Sequence, residues 1–245
     1  MILVSRPAPQ LPRTTAALKR AGFTEILPLP VAEYESFTLD TFPADATALI
    51  LTSAAALTAL MSAVRAAGPI EKRPGCLRFL PAYCVGTATA RAARQAGLNV
   101  AYTGKNNGQS LANDIAHTFK APQKFLHLHA DNAGTDWAAT LETAGHSVAG
   151  LTAYHTAYLH TLPSNVVSQL QQKQPTHTLL FSPTGAKRLR NLFEKSNLQP
   201  TGTAVALSLA VAQAASGFWP QVLVSKQPSL AGMLKTLKNQ KEQRA

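Results

Sequence analysis

Charge is scarce in this chain, and acid is the scarcer sign. Only 14% of the 245 residues are charged, with 12 Asp and Glu against 23 Lys and Arg, a net charge of +11. The few carboxylates form no pattern that marks a general acid–base pair. Cysteine is nearly absent: Cys76 and Cys84 are spaced neither as zinc ligands nor as a redox pair. Nothing in this cysteine usage demands an oxidising compartment, and Cys84, in an apolar strand, reads as a small buried hydrophobe. Long hydrophobic runs are missing too. The longest, TAVALSLAVAQAA, is broken by hydroxyls and is shorter than the about 20 residues of a membrane span. The opening MILVSRPAP lacks the apolar core of a signal peptide. A cytoplasmic protein without membrane attachment is expected. Aromatics are 7% and fall mostly in strands, not interleaved along a basic stripe, which speaks against a nucleic-acid binder.

A dinucleotide fingerprint is also lacking. YCVGTATARAARQAG (83–97) reads as strand, turn and helix, but Thr87, Ala88, Thr89, Ala90 and Arg91 follow Gly86 where G-x-G-x-x-G needs further glycines. The turn therefore offers hydroxyls and N–H groups with little room, which suits a small anion better than a pyrophosphate. The basic balance points the same way, toward an anionic partner. Part of it lies in the tail KTLKNQKEQRA, a solvated helix end or loose terminus.

What is present is alternation. MILVS, ALILTS, AYCVG and NVAYTG read as strands, and amphipathic helices follow them, with Gly22 and Gly68 as stops. Such alternation gives βαβ units and a parallel sheet. The programme then restarts. FLHLHADNAGTDWAATLETAGHSV echoes the first strand–helix unit, with Leu141 and Gly145 matching Leu18 and Gly22. TLLFSPTGAKRLRNLF echoes ALILTSAAALTALM, and Ser182 falls where Ser53 stood. TAVALSLAVAQAASG and QVLVSKQPSLAGMLKTL echo the remaining two units. Two similar α/β domains are expected, with a ligand cleft between the carboxyl ends of their strands. Hydroxyl-rich turns fall at those ends: Ser5 and Arg6, Thr52 and Ser53, Thr87 and Thr89, Ser182 and Thr184. Taken singly, each serine or threonine there reads better as a helix N-cap; the same placement in several loops favours a site. Two extended segments, PLPVAEYESFT (28–38) and GLTAYHTAYLHTLP (150–163), sit at matching places and are expected to pair as linkers. The first strand–helix unit would then pack with the carboxyl-terminal half.

His127 and His129, at period-two spacing, share a strand face and are followed by Asp131; a metal would need at least one more ligand. Lys187, Arg188 and Arg190 form a basic helix start, readable as an anion contact or a solvated face.

VSRP at the first strand end, LILTSAAAL, CVGTATA, LTAYHTAY and LLFSPTGA, in this order and spacing, resemble uroporphyrinogen-III synthases from about residue 2 to 235. The resemblance implies two parallel-sheet, flavodoxin-like α/β domains joined by a two-stranded linker, with the active site in the cleft. The boundaries expected are 1–34 plus 160–245 for one domain and 38–155 for the other, with linkers at about 30–38 and 152–162. It implies cofactor-free, metal-free cyclisation of hydroxymethylbilane, a linear tetrapyrrole with eight carboxylates. Water is lost, ring D is inverted through a spiro intermediate, and uroporphyrinogen III results. Tyr154 matches the family's linker tyrosine, which assists the departing hydroxyl, and Tyr158 is its nearby competitor. Arg6, Thr52, Ser53, Gly86, Thr87, Thr89, Ser182 and Thr184 are the implied substrate-binding residues. Implied partners are the polyanionic substrate and the upstream hydroxymethylbilane synthase, with a monomer expected. In the second copy Ser208-Leu209-Ala210-Val211 departs from the family's Gly-Pro-Thr-Thr-like turn. A binding module for an anionic ligand and a degenerate synthase stay open at this point.

Overall fold

Successive residues of a strand face opposite ways, and in this chain both ways are apolar. Leu3 enters one buried cluster while Ile2 and Val4 enter another, and the same split recurs at Leu180 and Leu179 and at Ala204 and Val205. Strands buried on both faces require helices on both sides, which is the environment of parallel sheets. The computed structural model describes residues 1–37, 42–43, 45–66, 79–105, 107–119, 121–131 and 133–242. The expected stop at Gly68, the thiol of Cys76 and the last three residues of the basic tail lie outside them.

In chain order the elements are β1 (Ile2–Pro7), α1 (Leu11–Arg20), β2 (Ile26–Ser36), β3 (Ala48–Leu51), α2 (Ala54–Ala66), β4 (Ala82–Val85), α3 (Gly86–Gln95), β5 (Val100–Gly104), α4 (Gly108–Thr118), β6 (Lys124–Ala130), α5 (Ala138–Thr143), β7 (Ser147–Tyr158), α6 (Ser164–Gln172), β8 (His177–Leu180), α7 (Pro183–Lys195), β9 (Thr203–Ala206), α8 (Leu209–Ala215), β10 (Gln221–Val224) and α9 (Leu230–Glu242). The result is an α/β fold with a mostly parallel sheet. The chain gathers into two compact units, Met1–Glu33 with Ala157–Ala245, and Tyr34–Thr156.

In the first unit the strands lie in the order β2-β1-β8-β9-β10, paired in parallel. Helices α6, α7 and α8 cover one face through Val166, Leu170, Leu189, Phe193 and Val211. Helices α1 and α9 cover the other through Leu18, Met233 and Leu237. In the second unit the order is β7-β6-β3-β4-β5, again parallel. Helices α2 and α3 pack on Leu49, Leu51, Cys84, Leu126 and Leu128. Helices α4 and α5 pack on Ile50, Tyr83 and Phe125. The β6–β7 pair thus holds the place in the second unit that β1–β2 holds in the first, as their echoing sequences require. Cys84 is fully buried, and burial pushes its thiol up to about 11, so it behaves as a hydrophobe.

The helix stops follow the sequence signal. After α1, Gly22 takes a φ of +88°, and the N–H of Phe23 returns to the carbonyl of Leu18. Gly145 repeats this after α5, where the N–H of His146 returns to Leu141. Both long strands contribute to both units. In the first, Leu159 N–H donates to Val31 O at 3.0 Å; in the second, Phe37 N–H donates to Ala153 O at 3.0 Å. No helix among the described residues is long and apolar enough to cross a membrane.

Candidate active site

Parallel strands deliver their carboxyl ends, and the amino ends of the helices that follow, to one edge of a sheet. In the second unit that edge assembles hydroxyls. Beyond the end of β3, Ser53 caps α2: its Oγ accepts the N–H of Ala56 at 3.3 Å. The same oxygen lies 3.0 Å from the hydroxyl of Tyr154. Tyr154 stands on β7, with β6 between it and β3. The ring reaches across because its partner on β6 is Ala130, whose side chain is a single methyl. The register also skips a residue there, from His129↔Thr152 to Ala130↔Tyr154. Such a bulge re-aims the side chain it carries. Tyr154 is 8% exposed, belongs to the buried cluster that includes Leu51, Leu128 and Ala153, and meets Tyr34 edge-on at 5.5 Å. One Ser53 hydroxyl thus both caps α2 and meets the Tyr154 phenol.

Thr52 points elsewhere. Its Oγ1 lies 3.2 Å from Nε2 of His127, a histidine only 1% exposed. Trp137 packs on this imidazole edge to face at 4.8 Å, and His129 lies beside it at 5.1 Å. Burial, helped by His129, lowers the His127 pKa from 6.5 to about 4, so the ring is neutral at physiological pH. Trp137 in turn explains Gly108: a β-carbon there would stand 2.7 Å from the indole. Among the described residues no group of three His, Cys, Asp or Glu could hold a metal ion.

The β4–α3 turn differs from its sequence reading in one respect. Gly86 takes a φ of +74°, and a β-carbon built on it meets nothing within 4 Å. The position needs glycine for its backbone conformation, not because space is short. Val85, at the N-cap, supplies no side-chain cap to α3. The N–H groups of the first turn thus have no side-chain cap from that residue. The two threonines part company: Thr87 is exposed, and Thr89 is 6% exposed within the unit.

In the first unit, Ser182 caps α7 by accepting the Gly185 N–H at 3.0 Å, the counterpart of Ser53 on α2. Thr184 is exposed in the first turn of α7. Arg6 is held by its own neighbourhood: Nη1 donates to Thr14 Oγ1 at 2.9 Å, Nη2 donates to Gln10, and the guanidinium lies 4.0 Å over the Phe181 ring. Tyr158 is similarly engaged, beneath the guanidinium of Arg188 at 4.1 Å. Ser208 stands at the N-cap of α8 without capping it, and Leu209 beside it is 71% exposed. A hollow of about 450 Å³ lined by Met1, Phe23, Glu25 and Leu237 opens at the opposite, amino-terminal ends of β1 and β2, away from these turns.

Two pairs carry no signal in the sequence. Thr52 with His127 is one. The other is Asp131 Oδ2, 2.6 Å from His155 Nδ1 and 24 positions away along the chain. The adjacency of β6 and β7 makes this second pair, and the N–H of Asp131 also donates to Tyr154 O at 3.1 Å.

The family model of uroporphyrinogen-III synthase HemD matches residues 12–235. Among solved structures, the uroporphyrinogen-III synthetase of Helicobacter pylori superposes with a TM-score of 0.68 at 19% identity, covering 98% of each chain. A mutant uroporphyrinogen III synthase of Thermus thermophilus superposes with a TM-score of 0.57 at 18% identity, covering 99% of this chain and 98% of the other. At these identities the likeness is one of fold. No curated protein matches the chain.

Proposed function

The chain belongs to the uroporphyrinogen-III synthase family, and from that premise we propose which of its groups act on the substrate. It is a lyase-type enzyme of haem biosynthesis that cyclises hydroxymethylbilane. The chemical demand is modest. An electron-rich pyrrole expels hydroxide once that oxygen is hydrogen-bonded, and unaided closure gives the wrong isomer. The protein has to hold ring D so that its substituted carbon attacks, which is positioning catalysis with fixed donors at the developing charge.

The observation that carries the site is the 3.0 Å contact between Ser53 and Tyr154. Ser53 Oγ already accepts the Ala56 N–H. When Ser53 then donates its own proton to the phenol oxygen, the Tyr154 O–H is left to point outward. A phenol aimed this way donates to the departing hydroxyl without carrying charge. The open first turn of α3, with Gly86, Thr87 and Thr89, takes a substrate carboxylate, and Thr52 takes another. Ser182, Thr184 and Arg6 present matching donors on the first unit. Arg6, bound to Thr14 and Gln10, acts there by its field or after exchanging partners.

We read the two units as flavodoxin-like domains joined by β2 and β7, with residues 1–34 and 160–245 in one and 38–155 in the other, and the reaction in the cleft. The shared strand pattern, with β1–β2 and β6–β7 in equivalent places, supports this. We likewise read the enzyme as a cytoplasmic monomer that takes its substrate from hydroxymethylbilane synthase and needs no cofactor.

The test is direct. Hydroxymethylbilane is generated in situ by its synthase, the protein is added, and the oxidised products are separated. A shift from uroporphyrin isomer I to isomer III is expected; isomer I alone from folded protein rules the activity out. Thr89→Ala is expected to lower kcat/KM only about threefold, because backbone donors of α3 share the load. A complete loss with native circular dichroism would give that hydroxyl a larger part.

A further inference from the structure

In the second unit the placement of the His127 imidazole, beside the hydroxyls at the strand ends, is not explained by the activity. It is 1% exposed, and its Nδ1 is buried without a partner among the described residues. A neutral imidazole carries one N–H and one lone pair. A buried N–H without an acceptor is costlier and rarer than a lone pair without a donor. The proton therefore sits on Nε2, and Nε2–H donates to Thr52 Oγ1, 3.2 Å away. With its oxygen already accepting, Thr52 has its own O–H to give, and no acceptor for it exists among the described residues. The result is a hydroxyl with its proton free to be given at the carboxyl edge of the sheet. Ser53 and Tyr154 stand one residue further on, and Ser53 plays toward the phenol the part that His127 plays toward Thr52.

We propose that His127 is a positioning residue that fixes Thr52 as an outward hydrogen-bond donor, selecting a carboxylate of the substrate at that point. The role rests on the proposed function for its substrate, but not for its test. His127 is held for it by the Trp137 edge on one side and by His129 on the other, whose own Nδ1 is turned to Ala130 O at 2.7 Å.

Uroporphyrin III, a stable octacarboxylate, serves as the probe, with its Kd read by fluorescence. His127→Phe keeps the ring and removes both nitrogens. A rise in Kd and in KM of about tenfold is expected, the size of one lost hydrogen bond to a charged group. Thermal stability at pH 7 stays at or above wild type, since the orphaned Nδ1 is gone. His127→Gln, whose amide N–H reaches the Nε2 position, is expected to return Kd to within about threefold. Thr52→Val alone and the double variant His127→Phe/Thr52→Val are expected to match, because both changes remove one interaction. A merely structural histidine would instead lower stability and leave that cycle additive. The inference is overturned by a His127→Phe protein that binds uroporphyrin III as wild type does, or by effects of the two substitutions that multiply. Wild-type protein that makes no isomer III, yet binds uroporphyrin III in a His127-dependent way, would sink the proposed function and leave this inference standing.

Discussion

Tyr154→Phe is expected to lower kcat for isomer III formation about 10²-fold, the range of one proton donor at a reacting oxygen, with KM changed less than twofold. The split follows from where the phenol acts. In the proposed site its hydroxyl donates to the leaving oxygen, which carries charge only as the bond breaks, so ground-state binding is expected to be hardly affected. The fold is expected to survive. The ring keeps its place in the buried cluster and its contact with Tyr34, and Ser53 keeps the Ala56 N–H. The loss is one hydrogen bond, about 1 kcal/mol. Because the substrate also closes by itself, the slow variant should release more isomer I from the same input. A kcat within twofold of wild type would remove Tyr154 from the chemistry and leave it a packing residue between β7 and β2.

Acidification from pH 6.5 to 4 is expected to cost about 3 kcal/mol of folding stability through His127 alone. Burial is the main cause and the neighbouring His129 the second. The sign follows from proton uptake. The unfolded histidine binds its proton near 6.5 and the folded one only near 4. Between those values the unfolded chain holds more protons, so stability falls as pH falls. Above 6.5 both states are neutral and the full stability is present. Among the described residues, the groups that face the imidazole are Thr52 from the β3 end, His129 from β6 and Trp137 ahead of α5. None of them supplies a carboxylate to hold an imidazolium. Urea unfolding of wild type and His127→Phe at pH 7 and pH 4 isolates the effect. The surface carboxylates Glu25 and Asp45, held low by Lys173 and Lys124 respectively, are common to both proteins and cancel. Equal losses in the two proteins would show that His127 does not govern the acid limb. With typical domains stable by only about 5–15 kcal/mol, the expected loss would be visible as a shifted urea midpoint.

The two expectations meet at one edge of one sheet. The phenol needs Ser53 turned toward it, and Thr52, the residue before, needs His127 behind it. A strained or shifted β3–α2 turn would therefore disturb leaving-group assistance and carboxylate binding together. The Asp131–His155 pair lies at the same edge, tied to the Tyr154 carbonyl through the Asp131 N–H. It also helps to fix the bulged segment of β7.

Much of this protein was set by local sequence. Short apolar strands buried on both faces, helices closed by Leu18 with Gly22 and by Leu141 with Gly145, and a positive-φ glycine at 86 depend on residues within a few positions of one another. Neighbouring side chains and backbone sterics decide them. The doubling of the strand–helix programme was readable for the same reason, and so was family membership, which rests on the order of short turns. Tertiary structure alone decided which hydroxyls meet. Ser53 reaches Tyr154 only because β6 lies between their strands and carries Ala130 at the crossing. Thr52 finds His127, and Asp131 finds His155, only through strand order and register. Thr87 and Thr89, alike in sequence, separate into an exposed and a buried residue by their angle on α3. The contacts of Arg6 with Thr14, Gln10 and the Phe181 ring likewise depend on the fold. Periodicity tells which face a side chain takes; what stands opposite it depends on the neighbouring strand, and a register that skips at Ala130 is written in no single segment.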